Sequence, residues 1–489
     1  MRLQVLADGA TDFEMSPGCG DVEIVSLTAD SRCVQPGWLF AALPGARADG
    51  KHFVAEAIAK GAAAVLIKSD AAVPVPHRVV LLKAPEPRQA FARLAARFWR
   101  QQPRTIVAVT GTSGKTSVAD FARQIFDRLG HSAASLGTLG VVKGGVASYR
   151  ALTTPDPVTL HQTLARLAQE GITHLAMEAS SHGLDQYRLD GVALRAAAFT
   201  NLGRDHLDYH PSMDAYLKAK LRLLVELLPA AGTAVINADA AHAEPTIAAA
   251  RAAGRRVVTV GRAAASTLKL EEQRPVGFGQ QLAVRHGDAV ISVRLPLLGD
   301  YQAANALLAA ALVMATEEVG VDALAALERL EGVKGRLEIV GEVRGGLIVI
   351  DYAHKPDALA AALTALKPFA PGRIVCVFGC GGDRDKGKRP IMGRIASELA
   401  ASVIVTDDNP RSENAAAIRA EILAGATGAR EIGDRGEAIR AGVRLLGRGD
   451  VLLIAGKGHE TGQIIGSTIV PFSDHETVRA ALAEAPLDA

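Results

Sequence analysis

The apolar run TIVAVT (residues 105–110) leads without a break into Gly111-Thr112-Ser113-Gly114-Lys115-Thr116, and a helical stretch, KTSVADFARQIFDRLG, follows. The glycines let backbone N–H groups turn toward phosphate oxygens, and the helix N-terminus adds its positive end. Lys115 has the reach for β- and γ-phosphates, and the Thr116 hydroxyl is placed for Mg²⁺. The strict Walker pattern has glycine at position 109, where this chain has Val109. The strand–loop–helix setting still favours a phosphate loop over a chance glycine-rich turn.

Around this loop, from Arg104 to about Lys334, strands such as HLAMEAS, AAAFTNL and TAVINAD alternate with helices, which implies a doubly wound, mainly parallel sheet. Short alternating runs between Val257 and Leu297 predict a β-rich appendage or hairpins. Residues 1–98 read as a small α/β unit with strands in VEIVSLTADSR, WLFAAL and AAAVLI. The amphipathic stretch PEPRQAFARLAARFWRQQPR predicts a helix that serves as linker before Pro103. From Gly335, four apolar strands (GLIVIDYAH, RIVCVFGCGG, ASVIVTDDNP, DVLLIAGKG) each run into a polar or glycine-rich loop, and ligands of open parallel sheets sit at such carboxyl ends. The predicted class is α/β in three domains, 1–98, 99–334 and 335–489, with a central P-loop sheet and a Rossmann-like C-terminal domain.

Composition narrows the partners. With 49% hydrophobic and 22% charged residues the chain is globular, and a net charge of +2 gives no bulk attraction for nucleic acid. The longest apolar run, Ala306 to Ala315, falls short of the about 18 residues of a membrane span. The N-terminus carries Asp8, Asp12 and Glu14 and has no apolar signal core. Four cysteines (Cys19, Cys33, Cys376, Cys380) make no disulfide framework, and Cys376 and Cys380 read as buried or loop thiols. These features predict a cytoplasmic protein with small-molecule partners.

Glu178 closes one predicted strand of the central domain, and His206 stands in NLGRDHLD after the next. Taken singly each reads as a surface or satisfied core group. At two strand ends of one P-loop domain, they favour metal binding, a recognised aid to phosphoryl transfer. Lys218 and Lys220 read, by composition, as solvated lysines on a Leu-rich helix. DNPR (408–411) is a turn with one arginine, and Asp351 and His354 at a strand end also suit helix capping.

The loop GTSGKT resembles that of the Mur ligases and of folylpolyglutamate synthase, and further matches to the Mur ligases span nearly the whole chain. The resemblance implies nucleotide contacts from Gly111, Thr112, Ser113, Gly114, Lys115, Thr116 and Ser117, with Asn305, Arg336, Asp351 and His354 as further ATP contacts. Thr116, Glu178, His206 and a carbamylated Lys220 would hold Mg²⁺, and Lys115, Lys220 and His206 would serve catalysis. Thr153, Thr154, Ser180, Gln186 and Arg188, with Ser31 and the loop Ala46-Arg47-Ala48-Asp49-Gly50, would bind the UDP-muramoyl dipeptide. In this family DNPR marks members that take meso-diaminopimelate rather than lysine, so Arg384, Asp408, Asn409, Pro410, Arg411, Gly456 and Glu460 form the implied amino-acid site. The implied partners are ATP, meso-diaminopimelate and UDP-N-acetylmuramoyl-L-alanyl-D-glutamate, joined by a monomer. A lysine-adding relative, folylpolyglutamate synthase and a P-loop switch that turns over ATP only to change shape are the competing readings. The N-terminal domain and the DNPR segment argue against the synthase.

Overall fold

The computed structural model describes residues 1–8, 12–16, 20–45, 48–148, 152–317 and 319–484, apart from the side chains of 146–148. Cys19, Ala46 and Arg47 lie outside the described residues. The chain divides into two compact units, Met1–Thr267 with Leu308–Ala323 and Leu268–Leu307 with Leu324–Ala489.

The first unit contains two sheets. One has five strands, β1 (Glu14–Met15), β2 (Ser26–Thr28), β3 (Trp38–Ala41), β4 (Ala64–Lys68) and β5 (Val80–Ala84), in the order β1-β5-β4-β3-β2. Strands β2 to β5 run parallel, and β1 closes an edge antiparallel to β5. The helix Pro87–Phe98 is not the linker its sequence predicts: Phe91, Leu94 and Ala95 are buried among Leu39, Leu66 and Leu82 of this sheet. Its apolar stripe is wide enough to make it a core element, and a linker would leave that stripe in water.

The second sheet carries the phosphate loop. It comprises β6 (Thr105–Thr110), β7 (Ala133–Gly137), β8 (Gly140–Lys143), β9 (Val146–Ser148), β10 (His174–Glu178), β11 (Leu194–Phe199), β12 (Thr233–Asn237) and β13 (Arg256–Gly261). Their order is β13-β12-β11-β6-β10-β7-β8-β9, parallel from β13 to β7, with β8 and β9 as an antiparallel edge. Every residue of β6 is buried, as expected for a central strand covered on both faces. Val109 is one of these residues, level with Glu178 of β10 and Ala198 of β11. A glycine there would weaken the strand's packing, so the loop's conformational freedom begins at Gly111.

In the second unit, β14 (Leu268–Val276), β15 (Gly279–His286) and β16 (Ala289–Leu295) form the antiparallel ribbon the sequence predicts. A further sheet follows: β17 (Glu338–Val343), β18 (Gly346–Asp351), β19 (Ile374–Phe378), β20 (Ser402–Val405), β21 (Arg430–Glu431) and β22 (Val451–Ala455), in the order β17-β18-β22-β19-β20-β21. Only β17 is antiparallel to its neighbour. Alternate residues feed two cores, Leu347 and Val349 into one and Ile348 and Ile350 into the other. That double burial explains the unbroken apolar runs. Cys376 on β19 and Cys380 just beyond it are buried, and burial pushes both thiols up to about 12, so they behave as core groups. A short hairpin, β23 (Gly462–Ile465) and β24 (Thr468–Pro471), packs beside the loops of this sheet.

Candidate active site

At Gly111 the chain leaves β6 with φ +145°, and a Cβ there would stand 1.9 Å from Thr200 Oγ1. Glycine is therefore required for the loop to turn under the end of β11. That strand end braces the loop: Thr112 N donates to Asn201 O (2.9 Å), Ser113 N to Asn201 Oδ1 (2.9 Å), and Thr200 Oγ1 to Ser113 O (2.6 Å). Thr116 and Ser117 are buried in the first turn of the helix Lys115–Arg128. Lys115 Nζ donates to the carbonyls of Gly111 (3.0 Å) and Thr112 (2.9 Å), which holds the ammonium over the loop it serves.

Lys220 reaches the same point from the helix Met213–Arg222, donating from Nζ to Gly111 O at 2.7 Å. The solvated-lysine reading holds for exposed Lys218 and fails for Lys220, which is 1% exposed. Its Nζ lies 4.3 Å from the ring centroid of Tyr216, one helical turn earlier, and the Tyr216 hydroxyl is 3.2 Å from Thr112 Oγ1. Burial and the neighbouring Lys115 charge lower the Lys220 pKa well below its ordinary value. His206 sits on the loop between β11 and that helix with φ +53°, its Nε2 3.4 Å from Asp205 Oδ2 and its ring edge-on to that of His182.

Glu178, buried at the end of β10, is aimed by Thr138, whose backbone N–H donates to Oε1 at 2.7 Å. Five of the residues read as substrate contacts gather here. Thr153 Oγ1 meets Thr138 Oγ1 at 3.0 Å, and Thr154 Oγ1 donates to Glu178 O at 3.1 Å and accepts from Ser180 N at 3.0 Å. Ser180 also caps a short helix through Gly183 N (3.1 Å). Arg188 donates to Thr154 O (2.8 Å) and to Gln186 Oε1 (2.7 Å), and burial lowers its pKa. Ser31 lies instead on the short 3-10 turn Ser31–Cys33 that follows β2 of the five-stranded sheet, where its hydroxyl donates to Glu56 (3.2 Å).

In the second unit two groups form at strand ends. Asn305 donates to Gln302 Oε1 (2.9 Å), and Gln302 donates to Arg336 O (3.2 Å). Asp351 accepts from Leu337 N (2.7 Å) and Ala353 N (2.8 Å), which fixes the turn that carries Arg336, and burial raises its pKa. His354 Nδ1 meets Tyr352 O at 2.8 Å, and burial lowers its pKa to about 4, so the ring is neutral.

The other group is built on DNPR. Asp408 is buried with its pKa raised by desolvation, and it lies against Gly456. Asn409 donates to Glu460 Oε2 (2.9 Å) and accepts from Lys457 Nζ (3.1 Å), while Lys457 also donates to Glu460 (3.0 Å). Arg411, after Pro410, has φ +51°, and its Nη1 donates to Gly382 O at 2.8 Å. Arg384 is exposed and donates to Asp383 O (3.2 Å). The fully buried pair Arg435–Asp474 ties the end of β22 down through Ala455 O, which steadies the Gly456–Glu460 loop.

The sequence reading reaches Asn201 only as part of a strand-end run, and it does not reach Thr138, Tyr216 or Lys457. Tyr216 carries a usable signal, one turn from Lys220, and Lys457 lies inside AGKGHE. Thr138 carries none, since its role comes from the pairing of β7 with β10.

Three family models match in succession: the Mur ligase family catalytic domain over residues 23–99, the Mur ligase middle domain over 109–313, and the Mur ligase glutamate ligase domain over 335–458. A UDP-N-acetylmuramoyl-L-alanyl-D-glutamate–2,6-diaminopimelate ligase from Bradyrhizobium diazoefficiens is 56% identical over 99% of both chains. The chain belongs to the Mur ligase family. Among other Mur ligases, one of the same name from Caulobacter vibrioides is 52% identical over 96% of this chain and 98% of its own. A solved structure of an enzyme with that name superposes with a TM-score of 0.73 at 32% identity, covering 99% of each chain. The Mur ligase fold extends to Mycobacterium tuberculosis folylpolyglutamate synthase, with a TM-score of 0.63 at 19% identity over 82% of this chain and 95% of that one.

Proposed function

We infer that this Mur ligase joins meso-2,6-diaminopimelate to the D-glutamyl carboxylate of UDP-N-acetylmuramoyl-L-alanyl-D-glutamate, with cleavage of ATP to ADP and phosphate, as a step of peptidoglycan synthesis. The observation that carries the reading is the 56% identity, across 99% of both chains, to a relative named for that ligation. The chain's own residues supply a chemistry that agrees with it.

A carboxylate oxygen of the substrate attacks the γ-phosphorus of ATP, the bond to ADP breaks, and an acyl phosphate forms. The amine of the incoming amino acid then adds to the acyl carbon. The tetrahedral intermediate collapses with loss of phosphate, and the nitrogen's proton leaves to solvent. Lys115 follows the charge on the transferring phosphoryl group while the N–H groups of Gly111 to Ser117 hold the phosphates. Asn305, Arg336, Asp351 and His354 are assigned to the nucleotide. Ser31, Thr153, Thr154, Ser180, Gln186 and Arg188 are assigned to the UDP-linked peptide, where a planar guanidinium suits carboxylate or diphosphate. Arg384, Asp408, Asn409, Pro410, Arg411, Gly456 and Glu460 are assigned to diaminopimelate.

The residues assigned to Mg²⁺ fit it by donor type. Thr116 offers a hydroxyl and Glu178 a carboxylate, both hard oxygen donors, and His206 adds an imidazole. Lys220 as an ammonium is no ligand, but its buried nitrogen shares the Gly111 carbonyl with Lys115. A carbamate there replaces one of two crowded cations by an anionic oxygen ligand. Bound Mg²⁺ neutralises phosphate charge as it moves. The domains that carry these roles are 1–98 for the UDP-linked substrate, 99–334 for ATP and 335–489 for the amino acid. The reading places the enzyme in the cytoplasm as a monomer, and no helix among the described residues is long and apolar enough to cross a membrane.

The route is tested with substrate labelled with ¹⁸O in the D-glutamyl carboxylate. One labelled oxygen per ligation product is expected in the released phosphate. Phosphate free of label would rule out the acyl phosphate.

A further inference from the structure

Among the described residues, His131, His174 and Glu317 bring three potential ligand atoms within 4.8 Å of one another. They lie in the first unit, at the end of the P-loop sheet remote from the loop itself. His174 opens β10 and Glu178 closes it, which separates the two positions by about 13 Å at ~3.3 Å per residue. The ligation chemistry makes no use of this cluster.

Hydrogen-bond accounting singles out His174. The Thr173 hydroxyl lies 3.2 Å from Ser132 O and 2.8 Å from His174 Nδ1, so with its proton on Ser132 O it can accept from an Nδ1–H. In that tautomer Nε2 keeps its lone pair, the arrangement a metal-ligating imidazole requires. His174, whose side chain is 0% exposed, turns Nε2 toward Glu317 Oε1 at 2.8 Å. In that tautomer Nε2 and the carboxylate oxygen are two close acceptors, and a cation between them satisfies both. His131 Nε2 lies 3.8 Å from the other oxygen of the same carboxylate, and its ring stacks on His174 with centroids 3.9 Å apart.

We propose that His131, His174 and Glu317 form a binding site for a divalent transition-metal ion, with Zn²⁺ the best match to the donors, separate from the ligation site. Two neutral imidazoles and one carboxylate are a zinc donor set with an open fourth position, and they suit Zn²⁺ better than Mg²⁺. Ligand atoms about 2.0–2.1 Å from a tetrahedral zinc stand about 3.3 Å from one another, and the 2.8 and 3.8 Å separations found here bracket that value. Thr173 supplies the partner on Nδ1 that fixes a ligating histidine's tautomer and ring plane. The Phe126 ring, 4.7 Å from that of His174, shields one side. His131 and Glu317 are partly exposed, which leaves an entry path and lets the His131 ring turn its nitrogen toward the ion. The ion would tie the turn after the helix Lys115–Arg128, the start of β10 and the 308–323 segment together.

The test is equilibrium dialysis of the full chain against Zn²⁺ with Mg²⁺ in excess, followed by metal analysis, on the wild type, His131→Ala and Glu317→Gln. Glu317→Gln keeps the size of the side chain and a hydrogen-bonding oxygen, so one variant perturbs the fold little. The wild type is expected to retain one Zn²⁺ that both variants bind at least about tenfold more weakly. Co²⁺ in its place should give the visible absorption of a tetrahedral site, reduced in both variants. A wild type that retains no Zn²⁺, or variants that match it in affinity and stoichiometry, would overturn the proposal.

Discussion

Lys220→Ala is expected to lower kcat by about a thousandfold or more while the protein keeps its cooperative unfolding transition. The side chain is buried with its nitrogen 2.7 Å from Gly111 O, so that nitrogen sits against the phosphate loop and not in solvent. Burial and Lys115 both disfavour the ammonium and so favour the neutral amine. A neutral amine adds to CO₂, the nitrogen loses a proton, and a carbamate anion forms. On the proposed assignment, that anion would give the metal site a ligand which alanine cannot supply. A purely structural lysine makes a different prediction, since removing a buried cation beside a second cation relieves repulsion and leaves activity largely intact. Added small carboxylic acids, which can occupy the vacated space with an oxygen anion, are expected to restore part of the turnover of Lys220→Ala. Near-normal kcat for the variant at low bicarbonate would refute the assignment.

Arg411→Ala is expected to cut kcat/KM for meso-diaminopimelate by about a hundredfold to a thousandfold, with little change in the KM for ATP or the UDP-linked dipeptide. Diaminopimelate differs from lysine by one carboxylate, so selectivity rests on the group that pairs with it. Arg411 is held from behind: Nη1 donates to Gly382 O at 2.8 Å and the backbone N–H to Ile464 O at 3.0 Å. This anchoring presents a fixed planar fork, and a guanidinium can meet a carboxylate with two parallel bonds. On the proposed assignment, lysine binding would leave the same charge partly desolvated and without a carboxylate partner. Alanine removes that penalty without building a lysine pocket, so the efficiency for lysine should rise only modestly. The ratio of efficiencies for the two amino acids, in wild type, Arg411→Ala and Arg411→Lys, is the measurement. Lysine at this position keeps the charge but loses the fork and should restore the ratio only in part. An unchanged ratio in Arg411→Ala would move selectivity to Arg384 or elsewhere.

What could be read from the chain follows the range of the forces involved. The phosphate loop was legible because strand, loop and helix are consecutive, and the pattern survives even with Val109, a central-strand residue. The C-terminal sheet was legible because strands buried on both faces spell unbroken apolar runs, as β18, β19 and β22 do. The helix Pro87–Phe98 shows the limit of a local reading. Its apolar face was visible, but whether that face is buried depends on β3 to β5, which its own residues do not specify. Lys220 shows the same limit more sharply. Its sequence neighbours suggest solvent, and only the approach of Gly111, 109 positions away, makes it a buried group. Contacts such as Arg188 with Thr154 and Thr138 with Glu178 bridge 34 and 40 positions, so spacing alone could not reveal them. The resemblance to the Mur ligases pointed to most of these residues, and the physical reason for each placement came from the fold.

The central claim is that ATP cleavage by this chain is coupled to the ligation of diaminopimelate. The most direct measurement is ADP release by the purified protein with ATP, Mg²⁺ and UDP-N-acetylmuramoyl-L-alanyl-D-glutamate, in the presence of meso-diaminopimelate, of L-lysine, or of neither. The account predicts sustained ADP release only with diaminopimelate, one ADP for each tripeptide product formed, and a rate with lysine at least about a hundredfold lower at equal concentration. ADP release that proceeds at the same rate without any amino acid, or as fast with lysine as with diaminopimelate, would contradict it.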